Sequence, residues 1–317
     1  MHAAIVNTWG EAPTYSTIEL PPPTATQVRI KIIAAGLHNL VRARAAGKHY
    51  STAGTQPPHV PGVDGVGKIA ETGDIVYFNC LTAKTGSFSE EINVEKRDTF
   101  PLIESANEDN IAVLANPAMS SWMALKARAG VKSGDKFTVA IIGATGISGS
   151  VAVQISKALG ATQIIAIGKP GAKLDKTTSL GVSTTIALAD KLEDTDFSAA
   201  SDVNIVLDYL WGSVAKAALS GIIAKRKNKS QRLTWIEIGS LAGEELDVPA
   251  SALRSTNIAF LGCGPGSWTF PELNQHLPEM LRAIAEHQLK SDFAIEKLSE
   301  VEGWWNQLGG PRKLVKP

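Results

Sequence analysis

The chain has 317 residues, 44% hydrophobic and 20% charged, with 31 basic side chains balanced by 31 acidic ones. That neutrality excludes a broad electrostatic surface for nucleic acid or an anionic membrane, and the composition is that of an ordinary globular protein. No apolar run approaches the roughly 18 residues that span a bilayer, and no charged stretch precedes a long apolar core at the start, so neither a membrane span nor a signal peptide is expected.

Two cysteines, Cys80 and Cys263, lie far apart in the sequence. They fit a reducing, cytoplasmic setting without a disulfide framework, and they leave no cysteine-rich zinc knuckle. At roughly 150 residues per domain, the length suggests about two domains.

The first hundred residues are β-rich and often broken by Gly and Pro. Residues 3–7 and 16–20 read as short strands, and Pro21–Pro23 forces an extended turn. Residues 27–35 alternate Val28, Ile30 and Ile32 against Arg29 and Lys31, the period of a half-buried strand. Residues 63–70 and 74–79 are further strands, and together these segments suggest a twisted β-barrel-like domain.

The texture changes near Asn107. Residues 108–114 and 119–129 carry helical spacing. Strands at 136–142, 163–167, 183–186, 202–209, 233–238 and 257–261 then alternate with helices at 146–159, 172–180 and 214–223. Short apolar strands separated by helices predict a parallel sheet covered on both faces, and six of them suit a doubly wound dinucleotide fold. Lys225-Arg226-Lys227-Asn228-Lys229 reads as a solvated loop between a helix and a strand. A helix at 277–287, a strand at 293–295 and a basic tail follow, too short for a domain and expected to return to the first one. Trp304-Trp305 is expected to pack on that domain or on an adjacent subunit.

The most specific motif is the run from Phe137 to Gly149, with Gly143, Ala144, Thr145, Gly146, Ile147 and Ser148 at its turn. It follows a strand, opens an amphipathic helix and precedes another strand, the context a dinucleotide fingerprint requires. Gly146 lets the backbone approach a pyrophosphate, Gly149 lets helix and strand pack closely, and the helix N-terminus supplies free N–H groups. Ala144 replaces the first glycine of the usual pattern. The next strand ends Gly168-Lys169-Pro170-Gly171-Ala172-Lys173, with no acid until Asp175. A carboxylate there would bind ribose hydroxyls, whereas Lys169 and Lys173 would pair with a 2′-phosphate, so NADPH is the expected cofactor rather than NADH.

With this turn placed after a β-rich first domain, the chain resembles the medium-chain dehydrogenase/reductase superfamily, in its zinc-independent quinone oxidoreductase branch. Residues 34–39, 60–67, 117–125, 207–209, 238–240 and 313–317 carry the resemblance, which spans essentially the whole chain. It implies an α/β fold in which a Rossmann doubly wound parallel sheet is inserted in a GroES-like β-barrel catalytic domain. The expected boundaries are 1–116 for the first part of the catalytic domain, 117–264 for the NADPH-binding domain and 265–317 for the return. Zinc members carry a cysteine where His38 stands, a histidine where Val63 stands and often a lobe of four cysteines. None is present, so no metal is expected. The link 66–74 is shorter than is usual in the family.

By the same resemblance, Tyr50 lines the substrate pocket, and its hydroxyl, His38 or Asn39 would donate a hydrogen bond to the acceptor oxygen. Ser120 faces the nicotinamide, Tyr209, Gly239 and Ser240 line the cofactor, and Cys263 falls near the nicotinamide as a small apolar residue. Asp64 matches a family acid with a structural role. Without a metal or another strong electrophile, the acceptor must hold the developing charge itself, which points to a quinone or an α,β-unsaturated carbonyl. A biosynthetic enoyl reductase and a non-catalytic NADPH-binding sensor remain alternatives. Relatives dimerise through the edge of the cofactor sheet, and the apolar strand 257–261 makes a homodimer the expected assembly.

Overall fold

The computed structural model describes residues 1–83 and 85–317. They form two compact units, one of Met1–Asn116 with Leu277–Pro317 and the other of Pro117–His276. The second unit thus runs past Gly264, where the sequence placed its end.

The first unit opens with β1 (His2–Ile5), β2 (Thr14–Thr17) and the long β3 (Gln27–Gly36), followed by the short helix α1 (Asn39–Ala45). Then come β4 (Asp64–Ile69), β5 (Ile75–Asn79), β6 (Glu91–Glu95) and β7 (Thr99–Pro101). Alternation places Ile30 and Ile32 of β3 in a core with Val76, Phe78, Ile92 and Val94, while Lys31 faces water. β6 alternates in the same way, with Ile92 and Val94 inward, but its flanking Glu91, Asn93 and Glu95 hide it in the sequence.

Helix α2 (Glu108–Met123) continues into a π-helical turn over Ala124–Arg128. The sequence suggested two helical segments, 108–114 and 119–129, with Pro117, which lacks a backbone donor, between them. The structure has one: Ile111 to Ala115, Ala118 and Met119 are all buried, so packing around the whole helix outweighs that local loss.

The second unit follows with β8 (Phe137–Ile142), α3 (Ile147–Ala158), β9 (Ala161–Gly168), α4 (Ala172–Lys176), β10 (Thr184–Ala187) and β11 (Ile205–Asp208). After these come α5 (Gly212–Lys225), β12 (Leu233–Glu237), α6 (Ala250–Ser255) and β13 (Ile258–Gly262). The six strands form one parallel sheet in the order β10-β9-β8-β11-β12-β13. The order reverses direction at β8, the switch point where doubly wound sheets bind ligands. Arg226 corrects the reading of a solvated basic loop. Its guanidinium is buried and donates to the carbonyls of Ser201, Val203 and Gln231, closing the loop ends around α5.

Helix α7 (Phe270–Glu286) begins in the second unit and ends in the first, where β14 (Phe293–Lys297), α8 (Val301–Trp304) and β15 (Arg312–Lys316) complete the fold. β15 lies between β14 and β3, so the returning tail is an interior strand of the first unit's sheet. Trp304 and Trp305 pack edge-on to Phe88 within the same unit's core. Among the described residues, no helix is long and apolar enough to cross a membrane.

Candidate active site

Apart from Ser120 on α2, the expected cofactor residues of the second unit lie at or beyond the C-terminal ends of its parallel strands. Ile142, Asp208, Glu237 and Gly262 are aligned across β8, β11, β12 and β13, so the residues after them emerge along one edge. Gly143 turns the chain out of β8 with φ +89°, a conformation that favours glycine. Its N–H and that of Ala144 both donate to the Ile167 carbonyl of β9, at 2.9 and 3.1 Å.

The two glycines that follow differ in what requires them. A Cβ on Gly149 would stand 2.2 Å from the Gly143 carbonyl oxygen, so the helix and turn touch there without space for a side chain. A Cβ on Gly146 would meet only that same oxygen, at 3.4 Å, and the residue has ordinary extended dihedrals and an exposed surface. The protein's own packing therefore does not require glycine at 146. The first N–H groups of α3 have no carbonyl a turn earlier to accept them, and Ile147 beside them is 39% exposed. This open, donor-rich turn fits the pyrophosphate of a dinucleotide.

At the end of β9, Gly168 packs on the Thr145 methyl, where a Cβ would approach to 2.7 Å. Lys169 and Lys173 are exposed, and among the described residues no hydrogen bond or ion pair holds either one. Gly239 and Ser240 follow β12, and Ser240 donates to Glu244 at 2.8 Å.

Ser120, Tyr209 and Cys263 come together. The Ser120 hydroxyl donates to the Pro117 carbonyl and lies 3.1 Å from the Tyr209 hydroxyl, while the Cys263 thiol reaches the Ser120 carbonyl at 3.6 Å. Burial pushes the Tyr209 phenol up and the Cys263 thiol to about 11, so both are neutral donors near pH 7.

Asp208 was not singled out as a site residue, yet it organises this edge. One carboxylate oxygen accepts the N–H groups of Leu210 and Trp211, each at 2.9 Å, and the other accepts the Trp235 indole at 3.0 Å. Burial holds its carboxyl above the usual range, against the pull of those hydrogen bonds. The bonds secure a tight turn in which Trp211 takes φ +54°. Only the Leu-Asp-Tyr run marked it in the sequence.

In the first unit, His38 precedes α1 and is 2% exposed. Its Nε2 is 3.1 Å from Asp64, which also accepts the Tyr77 hydroxyl at 2.9 Å, and its Nδ1 is bonded to Arg312 of β15. A guanidinium only donates, so Nδ1 accepts and the proton sits on Nε2, directed at Asp64. Burial and then Arg312 keep the imidazole below its ordinary value against the pull of Asp64. Both ring nitrogens are thus engaged, and His38 has no N–H left for a ligand, which corrects its reading as a donor to the acceptor oxygen. Gly36 is required here, since a Cβ would lie 2.5 Å from the His38 ring. Val63, the other position of interest for a metal, is buried and apolar. Among the described residues, no group of three His, Cys, Asp or Glu side chains gathers around a point. Arg312 carried no signal in the sequence, because its partner is 274 positions away. Asn39 is exposed at the start of α1. Tyr50 opens a one-turn helix, Tyr50–Thr52, and its side chain lies outside the described residues.

No family model matches the chain. A curated protein of Emericella nidulans named probable NADPH-dependent quinone reductase tdiC is 29% identical over the full length of both chains. Among solved structures, a mycobacterial quinone oxidoreductase matches with a TM-score of 0.82 at 17% identity, covering 100% of each chain. The quinone oxidoreductase of Thermus thermophilus, described with its NADPH complex, matches at 0.76 and 21% identity, again over 100% of each. An alcohol dehydrogenase superfamily protein of Novosphingobium aromaticivorans matches at 0.79 and 22%, covering 100% of this chain and 99% of its own. The chain thus shares its fold with these oxidoreductases and is similar over its full length to a protein named as an NADPH-dependent quinone reductase.

Proposed function

We propose that the chain is an NADPH-dependent, zinc-independent reductase that transfers hydride to a quinone or an α,β-unsaturated carbonyl. The unit of residues 117–276 serves as the dinucleotide-binding domain and the remainder as the catalytic domain. The observation that carries the reading is the turn at Gly146, a glycine unexplained by internal packing at the open N-terminus of α3. The full-length relative named as an NADPH-dependent quinone reductase supports it.

In this reading the N–H groups of Ile147 and Ser148 hold the pyrophosphate, and Thr145 and Gly168 shape the turn against β9. Lys169 and Lys173 pair with the 2′-phosphate through charge-assisted hydrogen bonds. Ser120, Tyr209, Gly239, Ser240 and Cys263 line the nicotinamide half. NADPH, when bound, supplies a hydride from its C4 atom. Quinones and enones delocalise the charge they receive, so the protein's main task is to hold them in line and exclude water. Asn39 and Tyr50 remain the candidate donors to the acceptor oxygen. Zinc independence is supported by the engagement of both His38 nitrogens and by apolar Val63. The half-buried edge strand β13 supports a homodimer formed by pairing with its copy.

Calorimetry with NADPH and NADH, followed by turnover of a quinone and enone panel, tests the reading. Tighter NADPH binding with oxidation by at least one acceptor is expected. Tighter NADH binding overturns the cofactor assignment, and stoichiometric zinc in active protein overturns the metal-free chemistry.

A further inference from the structure

We propose that the second unit also binds a soluble phosphate monoester, in a cavity lined by Lys229, Arg254 and the hydroxyl-bearing Ser230, Ser255 and Thr256.

The cavity is about 470 Å³, and Leu253 and Asn257 complete its walls. It lies where β12 and β13 begin. Leu233 and Ile258 are aligned at the starts of these parallel strands, whereas Gly239, Ser240 and Cys263 follow their C-terminal ends. Hydrogen bonds join the two segments that line it. The Asn257 N–H donates to the Lys229 carbonyl at 2.8 Å and its side-chain amide to the Ser230 carbonyl at 3.0 Å, while its Oδ1 accepts Arg232 at 3.1 Å. The Asn228 side-chain oxygen accepts the N–H groups of Ser230 and Gln231, each at 3.2 Å. The loop that carries Lys229 is thus fastened to the segment that carries Thr256, and Arg254 stands just before that segment in the last turn of α6.

The lining suits an anion. No carboxylate takes part in it, and among the described residues no hydrogen bond or ion pair holds the Lys229 ammonium, the Arg254 guanidinium or the Ser230 and Ser255 hydroxyls. Thr256 is only 5% exposed, and its Oγ1 is buried with no partner. A hydroxyl taken from water unpaired destabilises the free protein, and an acceptor drawn to the floor of the cavity would relieve it. Two cations with hydroxyl donors match the dianion of a phosphate monoester, whose oxygens accept charge-assisted bonds, and they repel a metal ion. Leu253, 52% exposed, offers the organic group of the ester an apolar wall. Within the basic run Lys225–Lys229, Arg226 is used inside the fold, and Lys229 is the member that lines this cavity. None of these residues belongs to the dinucleotide turn, so the inference stands apart from the proposed reductase activity.

Inorganic phosphate and phenyl phosphate, each titrated into the full chain at pH 8 with ionic strength balanced by sodium chloride, test the site by amide NMR. Saturable shifts of the Ser255, Thr256 and Asn257 amides are expected, with affinity at least about tenfold lower in Lys229→Gln and in Arg254→Gln. Both side chains are exposed, so neither change threatens the fold. Thr256→Val should weaken binding at least about threefold yet leave the urea midpoint of the free protein unchanged or higher, a split that a purely structural hydroxyl would not produce. Shifts confined to residues 145–149 would place the phosphate at the dinucleotide turn and overturn the proposal. So would wild-type affinity in the two charge variants or in Thr256→Val, and so would binding to phosphatidic acid vesicles without a response to either soluble phosphate.

Discussion

Gly146 and Gly149 look alike in the sequence and do opposite work. Gly146→Ala has room and allowed dihedrals, so its stability should change by no more than about 0.5 kcal/mol while NADPH affinity falls at least about tenfold. Gly149→Ala forces a Cβ into the Gly143 carbonyl and should cost about 1–3 kcal/mol, seen in urea unfolding without any ligand. Equal effects of the two on stability would contradict this division. Tyr77→Phe deletes a buried donor to Asp64 and should destabilise by about 1–3 kcal/mol, measured in the same way. The glycine turn was legible from its sequence because local backbone demands are written in consecutive residues. The partners of His38 were not, since Asp64 and Arg312 reach it from two different strands.

The connection from β9 to α4 carries two exposed lysines with no partner among the described residues. Replacing both Lys169 and Lys173 with alanine should weaken NADPH at least about tenfold and leave NADH within about twofold, as read by fluorescence titration. Parallel loss of both cofactors would show that the lysines do not read the 2′-phosphate. β15 makes a different point about elements. It sits inside a sheet with Leu314 and Val315 buried, so a chain ending at Gly310 should lose cooperative unfolding of the first unit in a thermal melt. Strands of the second unit were readable because they are buried on both faces and nearly all apolar. β6 and β7 escaped notice, being short and flanked by charge or proline, and α2 was read as two segments because local spacing says nothing about packing on every side.

Across the molecule the charges cancel, but protons do not bind the folded and unfolded chains alike. His38 and His59 are both held below the ordinary imidazole value of 6.5, by burial first in each case. Unfolding lets them protonate, so stability falls as pH drops below about 6.5, and for His59 the loss continues down to about 4. Asp208 and Glu237, held above the carboxylate range by burial, oppose this trend in the lower part of that window. Urea midpoints at pH 7 and pH 5 should therefore differ less in His59→Gln than in the wild type.

The three bonds to Asp208 bear on how the chain tolerates redesign. They fasten one strand end at once to the turn ahead of it and to the neighbouring strand, so a one-residue slip there would strand an indole and two amides together. New side chains can be exchanged around that rim, but any graft that omits an acceptor at its centre would also lose the alignment of the strands beneath.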